Sequence, residues 1–131
     1  MKFIPVDNRD FEPASHEDPN QPGVMKRVIA VKDQLLRGRV QMINWAQLPI
    51  ESSFRPHYHE DMEEIFVLLS GQAEMTVDGQ LFSLRPGDTL VVAPSEVHSM
   101  TNRGDCLVEY LVMGISSEAN GKTVVVASES G

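Results

Sequence analysis

The sequence predicts an all-β domain, a sandwich or a closed barrel, and three observations carry that expectation. From Val24 onward short apolar runs alternate with turn signals. Nothing in the chain has the spacing of a long amphipathic helix. Between "AEMTV" and "QLFSL" stands Asp78-Gly79, a two-residue connection of the kind that closes a type I′ hairpin. With 131 residues, eight prolines and nine glycines, the chain makes one ordinary domain with a single core.

Residues 1–23 carry four prolines and no periodicity, which predicts an irregular N-terminal arm with room for one short strand. His16 is read there as a surface residue. Residues 24–127 form the barrel domain. Its candidate strands, in order, are Lys26–Val31, Arg39–Trp45, Ser52–His59, Glu64–Leu69, Ala73–Val77, Gln80–Leu84, Thr89–Ala93, His98–Asn102, Leu107–Met113 and Thr123–Ala127. "RPGD" at 85–88 and "NRGD" at 102–105 are turns, since proline presets φ and glycine accepts positive φ. "EIFVLL" is apolar on both faces, which predicts a strand packed on each side.

Composition excludes several function classes. The longest uninterrupted apolar run, Ile65–Leu69, is far too short to span a bilayer. "MKFIPVDNRDF" has no apolar stretch of secretory-signal length, so a soluble, cytoplasmic protein is expected. A formal net charge of −8 without any basic cluster argues against nucleic acid and anionic membrane as partners. The single cysteine, Cys106, opens the apolar run "CLVEYLVM" and reads as a small core residue.

The stretch "HYHEDMEE", residues 57–64, carries the chemistry. A strand alternates its side chains, so His57 and His59 point to one face about 7 Å apart. Glu64 opens a strand; if it faces inward it shares a face with Phe66 and Leu68, and an unpaired carboxylate there would cost several kcal/mol or take a proton. Glu63 competes for the same role, while Glu60 and Asp61 read as a solvated loop. A third imidazole, His98, shares its strand face with Met100 and Asn102; Asn102 reads as a turn residue or a support for the ligands. Three imidazoles and one carboxylate form a mixed nitrogen and oxygen set that suits one divalent transition metal, Mn, Fe, Co, Ni, Cu or Zn. Calcium and magnesium prefer all-oxygen sets.

These motifs resemble those of a small single-domain cupin over about residues 24–127. The first family motif runs glycine, five residues, His-x-His, three or four residues, Glu, six residues, glycine; His57, His59, Glu64 and Gly71 fall into phase. In the second, Gly87, His98 and Asn102 match. The distance to Gly71 favours Glu64 over Glu63. Glu51 stands where the first glycine belongs, Ala93 where a proline belongs, with Pro94 one place later, and Ser95 where an inner glycine belongs, so the loop shapes there are open. The resemblance implies a double-stranded β-helix, or jelly-roll barrel, with the metal held by His57, His59, Glu64 and His98 in its mouth. Catalytic residues beyond that set are unknown. Two functions follow: a metal-dependent enzyme of oxygenase or isomerase type acting on a small organic or sugar-like molecule, or a non-catalytic module that binds such a molecule.

The remaining conspicuous residues read as framework. Trp45 is expected in the core or at the barrel mouth, and Met42, Met75, Met100 and Met113 as gap fillers, some of them open to the pocket. Arg37 and Arg39 flank Gly38 and read as surface charges unless the substrate is an anion. A homodimer is expected, because a small barrel must protect any strand edge that it leaves open.

Overall fold

The computed structural model describes residues 4–5, 10–34, 39–116 and 122–126. Among them lie eleven strands: β1 (Glu12–Pro13), β2 (Met25–Val31), β3 (Val40–Leu48), β4 (His57–His59), β5 (Met62–Ser70), β6 (Ala73–Val77), β7 (Gln80–Leu84), β8 (Thr89–Val92), β9 (His98–Thr101), β10 (Val108–Ser116) and β11 (Thr123–Val125). One 3-10 turn, Lys32–Gln34, is the sole helical element among the described residues. No helix there is long and apolar enough to cross a membrane.

Two antiparallel sheets face each other, one ordered β1-β2-β3-β10-β5-β8 and the other β11-β4-β9-β6-β7. The predicted all-β jelly-roll architecture is present. Burial follows the period of two that strands impose: every second residue of β10 from Val108 to Ser116 is buried, as are Met62, Glu64, Phe66 and Leu68 of β5. Phe54, Leu48, Leu68, Met75 and Met100 are fully enclosed between the sheets, and each such side chain contributes about 1.5–3 kcal/mol relative to exposure. The Asp78-Gly79 turn has φ of 46° and 83°, positive at both positions as a type I′ turn requires, and it sets Val77 opposite Gln80.

Several expectations are corrected. The strand expected over Ser52–His59 is only β4, with Ser53 forming an isolated bridge to Thr101; Pro56 has no N–H to continue the ladder. The outward residues of β5 are only half-buried, so that strand is packed on one side, not on both. Cys106 is exposed because it precedes β10 in a bend, and the strand's buried alternation begins at Val108. Trp45 lies on the outer face, since Asn44, Ala46 and Leu48 are the buried, inward residues of β3. There its indole N–H donates to Glu109 at 2.5 Å, and the Arg27 guanidinium sits over the rings of Phe11 and Trp45. Met75 and Met100 are core, while Met42 borders the cavity described below. Arg39 is exposed at the start of β3; Arg37 and Gly38, like Ala127 at the end of the last predicted strand, lie outside the described residues.

The two positions where a family glycine is replaced adopt the glycine conformation anyway. Glu51 has φ 65° and Ser95 φ 69°, beside Gly71 at 84° and Gly87 at 93°. The loop shapes therefore survive the substitutions, with left-handed backbone imposed on L-residues at about 1–2 kcal/mol each.

Candidate metal centre

The cluster joins the two sheets. β4 supplies His57 and His59, β9 supplies His98, and β5 in the opposite sheet supplies Glu64. His57 and His98 are register partners, which places their imidazoles side by side with ring centroids 4.4 Å apart. All four side chains are buried, none more than 5% exposed, and each offers a ligand atom within 4.8 Å of the others. The structure thus brings together all four residues expected from the sequence. Glu63 is half-buried on the opposite side of β5 and lies outside the cluster.

Each imidazole is held from behind. His57 Nδ1 donates to the Arg55 carbonyl at 2.7 Å and His98 Nδ1 donates to the Glu96 carbonyl at 3.0 Å. Carbonyls only accept, so these rings carry their proton on Nδ1 and, when neutral, present an Nε2 lone pair to the cavity. His59 Nδ1 meets the Thr123 hydroxyl at 3.0 Å. The loop before β9 is fixed as well: the Ser95 N–H donates to the His59 carbonyl at 2.7 Å, and the Asp78 carboxylate accepts from the Val97 N–H at 2.8 Å.

Glu64 Oε1 lies 2.8 Å from the Nε2 atoms of both His59 and His98. For His98 this sets a carboxylate oxygen against an imidazole lone pair, because its other nitrogen already holds the proton. Two acceptors at that distance need positive charge between them, supplied by a second proton or by a cation that both ligate. Burial pushes the Glu64 carboxyl up, but its bonds to His59 and His98 outweigh that and hold it well below the usual carboxylate range. His57 is lowered as well, to about 3, by burial and then by the neighbouring His16 and His98. Its ring therefore stays neutral at ordinary pH, with the lone pair free for ligation. This donor set fits a divalent transition ion.

The arm contributes what the sequence did not announce. His16, expected at the surface, is stacked on His57 with centroids 4.2 Å apart and planes 22° off parallel. Glu17 fixes it: this carboxylate, 8% exposed, accepts from His16 Nδ1 at 2.9 Å, from the Gly23 N–H at 2.8 Å and from the Arg55 N–H at 2.9 Å. Burial opposes ionisation of Glu17, yet these bonds together lower its pKa. The only advance signal was an acid beside a histidine in an otherwise unpatterned arm. Asn102 is a turn anchor, its amide donating to the carbonyls of Leu48 and Cys106 and accepting from the Gly104 N–H.

Beside the four residues lies a cavity of about 210 Å³, bordered by His57, His59 and Glu64 of the cluster, by Phe54, Phe66 and Tyr110, and by the arm at His16. Burial and the nearby Glu64 raise the Tyr110 phenol, so it stays protonated. Comparison with known proteins agrees with this architecture. A family model described as "Cupin domain" matches residues 44–114. An uncharacterized protein of Methanocaldococcus jannaschii is 31% identical over 59% of this chain, and the match spans 62% of that protein. Quercetin 2,3-dioxygenase of Bacillus subtilis is 51% identical over 43 residues, 33% of this chain but only 13% of the enzyme. A crystal structure of a predicted oxalate decarboxylase from Thermotoga maritima superposes with TM-score 0.77 at 23% identity, over 88% of this chain and 99% of that one.

Proposed function

Because this chain belongs to the cupin domain family, matched over more than half of its length, we propose that it is a small metal-dependent enzyme of oxygenase or isomerase type. Its substrate would be a small organic or sugar-like molecule bound in the 210 Å³ cavity. The observation that carries the reading is the pair of acceptors, His98 Nε2 and Glu64 Oε1, held 2.8 Å apart in a buried site. The short, close match to a quercetin dioxygenase supports the oxygenase side.

His57, His59, Glu64 and His98 would hold one divalent transition ion, which supplies Lewis acidity toward a substrate oxygen when bound. The protein's own part is organisation. The carbonyls of Arg55 and Glu96 keep protons on the outer nitrogens of His57 and His98, so both rings ligate without conformational search. Phe54 and Phe66 line the cavity and exclude water from one side. His16 is locked through Nδ1 by Glu17, leaving Nε2 as the nitrogen available to a ligand.

The test is elemental analysis followed by turnover. Close to one transition metal per chain is expected, with uptake of dioxygen, or isomerisation, when the iron- or manganese-loaded protein meets small diols and hydroxyketones. Absence of metal and of uptake on adding Mn, Fe, Ni or Zn refutes the centre. Metal and ligand binding without turnover selects the non-catalytic module instead.

A further inference from the structure

The cavity has a second polar pole, remote from the four-residue cluster. Asn44 is 8% exposed, borders the cavity, and its Oδ1 is buried without a hydrogen-bond partner. The sheet register makes its placement explicit: Asn44 pairs with Val112, which pairs with Phe66, two residues beyond Glu64 on the same inward face. From strand spacing and rise, the Cα atoms of Asn44 and Glu64 are roughly 12 Å apart, with both side chains directed between the sheets. Lys26, opposite Ala46 on the adjoining strand, borders the same end, and among the described residues no carboxylate pairs with it. Ser15 and Gln41 also border the cavity.

An unmet buried acceptor costs free energy that a leucine or valine at the same place would not, and native interiors rarely keep one without a reason. Its neighbours Val112 and Ala46 show that apolar residues fit this face. We propose that Asn44 and Lys26 form a recognition pole for a small hydroxylated anion, which lies between them and the four-residue cluster. A hydroxyl is the apt partner for Asn44, because it donates to the amide oxygen and, with the amide rotated, accepts from its nitrogen. The ammonium of Lys26 pairs with the anionic group. A cavity below the size of drug-sized pockets limits the ligand to a few carbons. The inference rests on the functional reading above for the far end of the ligand, and on Asn44 and Lys26 alone for the near end.

Three four-carbon probes that differ by one group test it: 3-hydroxybutanoate, butanoate and butane-1,3-diol, titrated calorimetrically into metal-supplemented protein. The wild-type chain is expected to bind the hydroxy acid about tenfold more tightly than either of the others, the value of one well-made hydrogen bond or ion pair to a buried partner. Asn44→Leu should erase the preference for 3-hydroxybutanoate over butanoate and leave the preference for acid over diol. Lys26→Met should do the reverse. Equal or absent binding of the three probes by the wild-type chain overturns the inference, as does unchanged selectivity in the variants. Asn44→Leu should also raise the melting temperature of the metal-free protein by a few degrees; a fall would make Asn44 a structural residue and end the proposal. The two readings fail separately. Selectivity that responds to Asn44 in a chain taking up no metal refutes the metal centre alone, and a metal-loaded chain indifferent to Asn44→Leu refutes the pole alone.

Discussion

Glu64→Ala and Glu63→Ala, adjacent changes of identical chemistry, should behave as substitutions in two different proteins. Glu64 Oε1 lies 2.8 Å from the Nε2 atoms of His59 and His98 in a site that is 5% exposed, and in the metal-free protein the His98 contact becomes a hydrogen bond once a second proton sits on that ring. Each charge-assisted bond is worth about 1.5–3 kcal/mol, set against the cost of burying the carboxylate. Removing the side chain also strips His59 and His98 of a common partner, so the metal-free protein should lose about 3 kcal/mol in urea unfolding. Glu63 points to the other side of β5 and is half-buried, so its loss should stay within about 0.5 kcal/mol. Metal affinity offers an independent readout. Losing the outer support of a ligand already weakens a site by about 10–100-fold, so loss of a ligand itself should exceed the upper figure for Glu64→Ala, while Glu63→Ala stays near wild type. Competition with a chromophoric chelator measures both. Equal losses in the two variants, or a metal-free Glu64→Ala protein as stable as its parent, would refute the assignment of the carboxylate.

Four more outcomes are expected. His57 has a folded pKa of about 3, below the unfolded value of 6.5, so its contribution is complete above pH 6.5 and lost as pH falls toward 3; the chelator-treated protein should lose about 2 kcal/mol between pH 7.5 and 5, and His57→Asn should flatten that slope in urea titrations. Glu17→Ala strips the Gly23 and Arg55 amides of their acceptor, so hydrogen exchange at both should accelerate by about tenfold or more, and unchanged protection would contradict the anchoring role. Ser95→Gly relieves φ 69° while keeping the N–H that bonds His59, and calorimetry should show a gain of about 0.5 kcal/mol, with a loss counting against strain. We also propose a homodimer, because β1 spans two residues against seven of β2 and so covers that sheet edge at one end only; light scattering should return twice the 14.6 kDa chain mass, and a monomer mass refutes it.

What the sequence disclosed follows the range of the forces involved. Strand period and turn chemistry are local, so β6 and β7 around Asp78-Gly79 were legible to the residue. The ligand set was legible because His57, His59 and Glu64 lie close together in the chain and His98 carried a recognisable motif. The inward face of β3 was not, since "VQMINWAQL" alternates no clear polarity and only its pairing with β10 turns Asn44 in and Trp45 out. Glu17 was invisible for a similar reason: two of its partners, Gly23 and Arg55, are 6 and 38 residues away, and no periodic pattern links them. Cys106 misleads because the apolar run "CLVEYLVM" starts in a bend, two residues ahead of β10.

That Glu64 comes from one sheet and its histidine partners from the other has a kinetic consequence. Anything gripping all four residues staples segments 34 to 41 residues apart in the chain, between Glu64 or His57 and His98. The two halves of the jelly roll can then separate only in one sub-global opening, not by independent fraying. Release of a bound ion would be timed by that opening, and it should keep step with exchange of the slowest amides of β5 and β9.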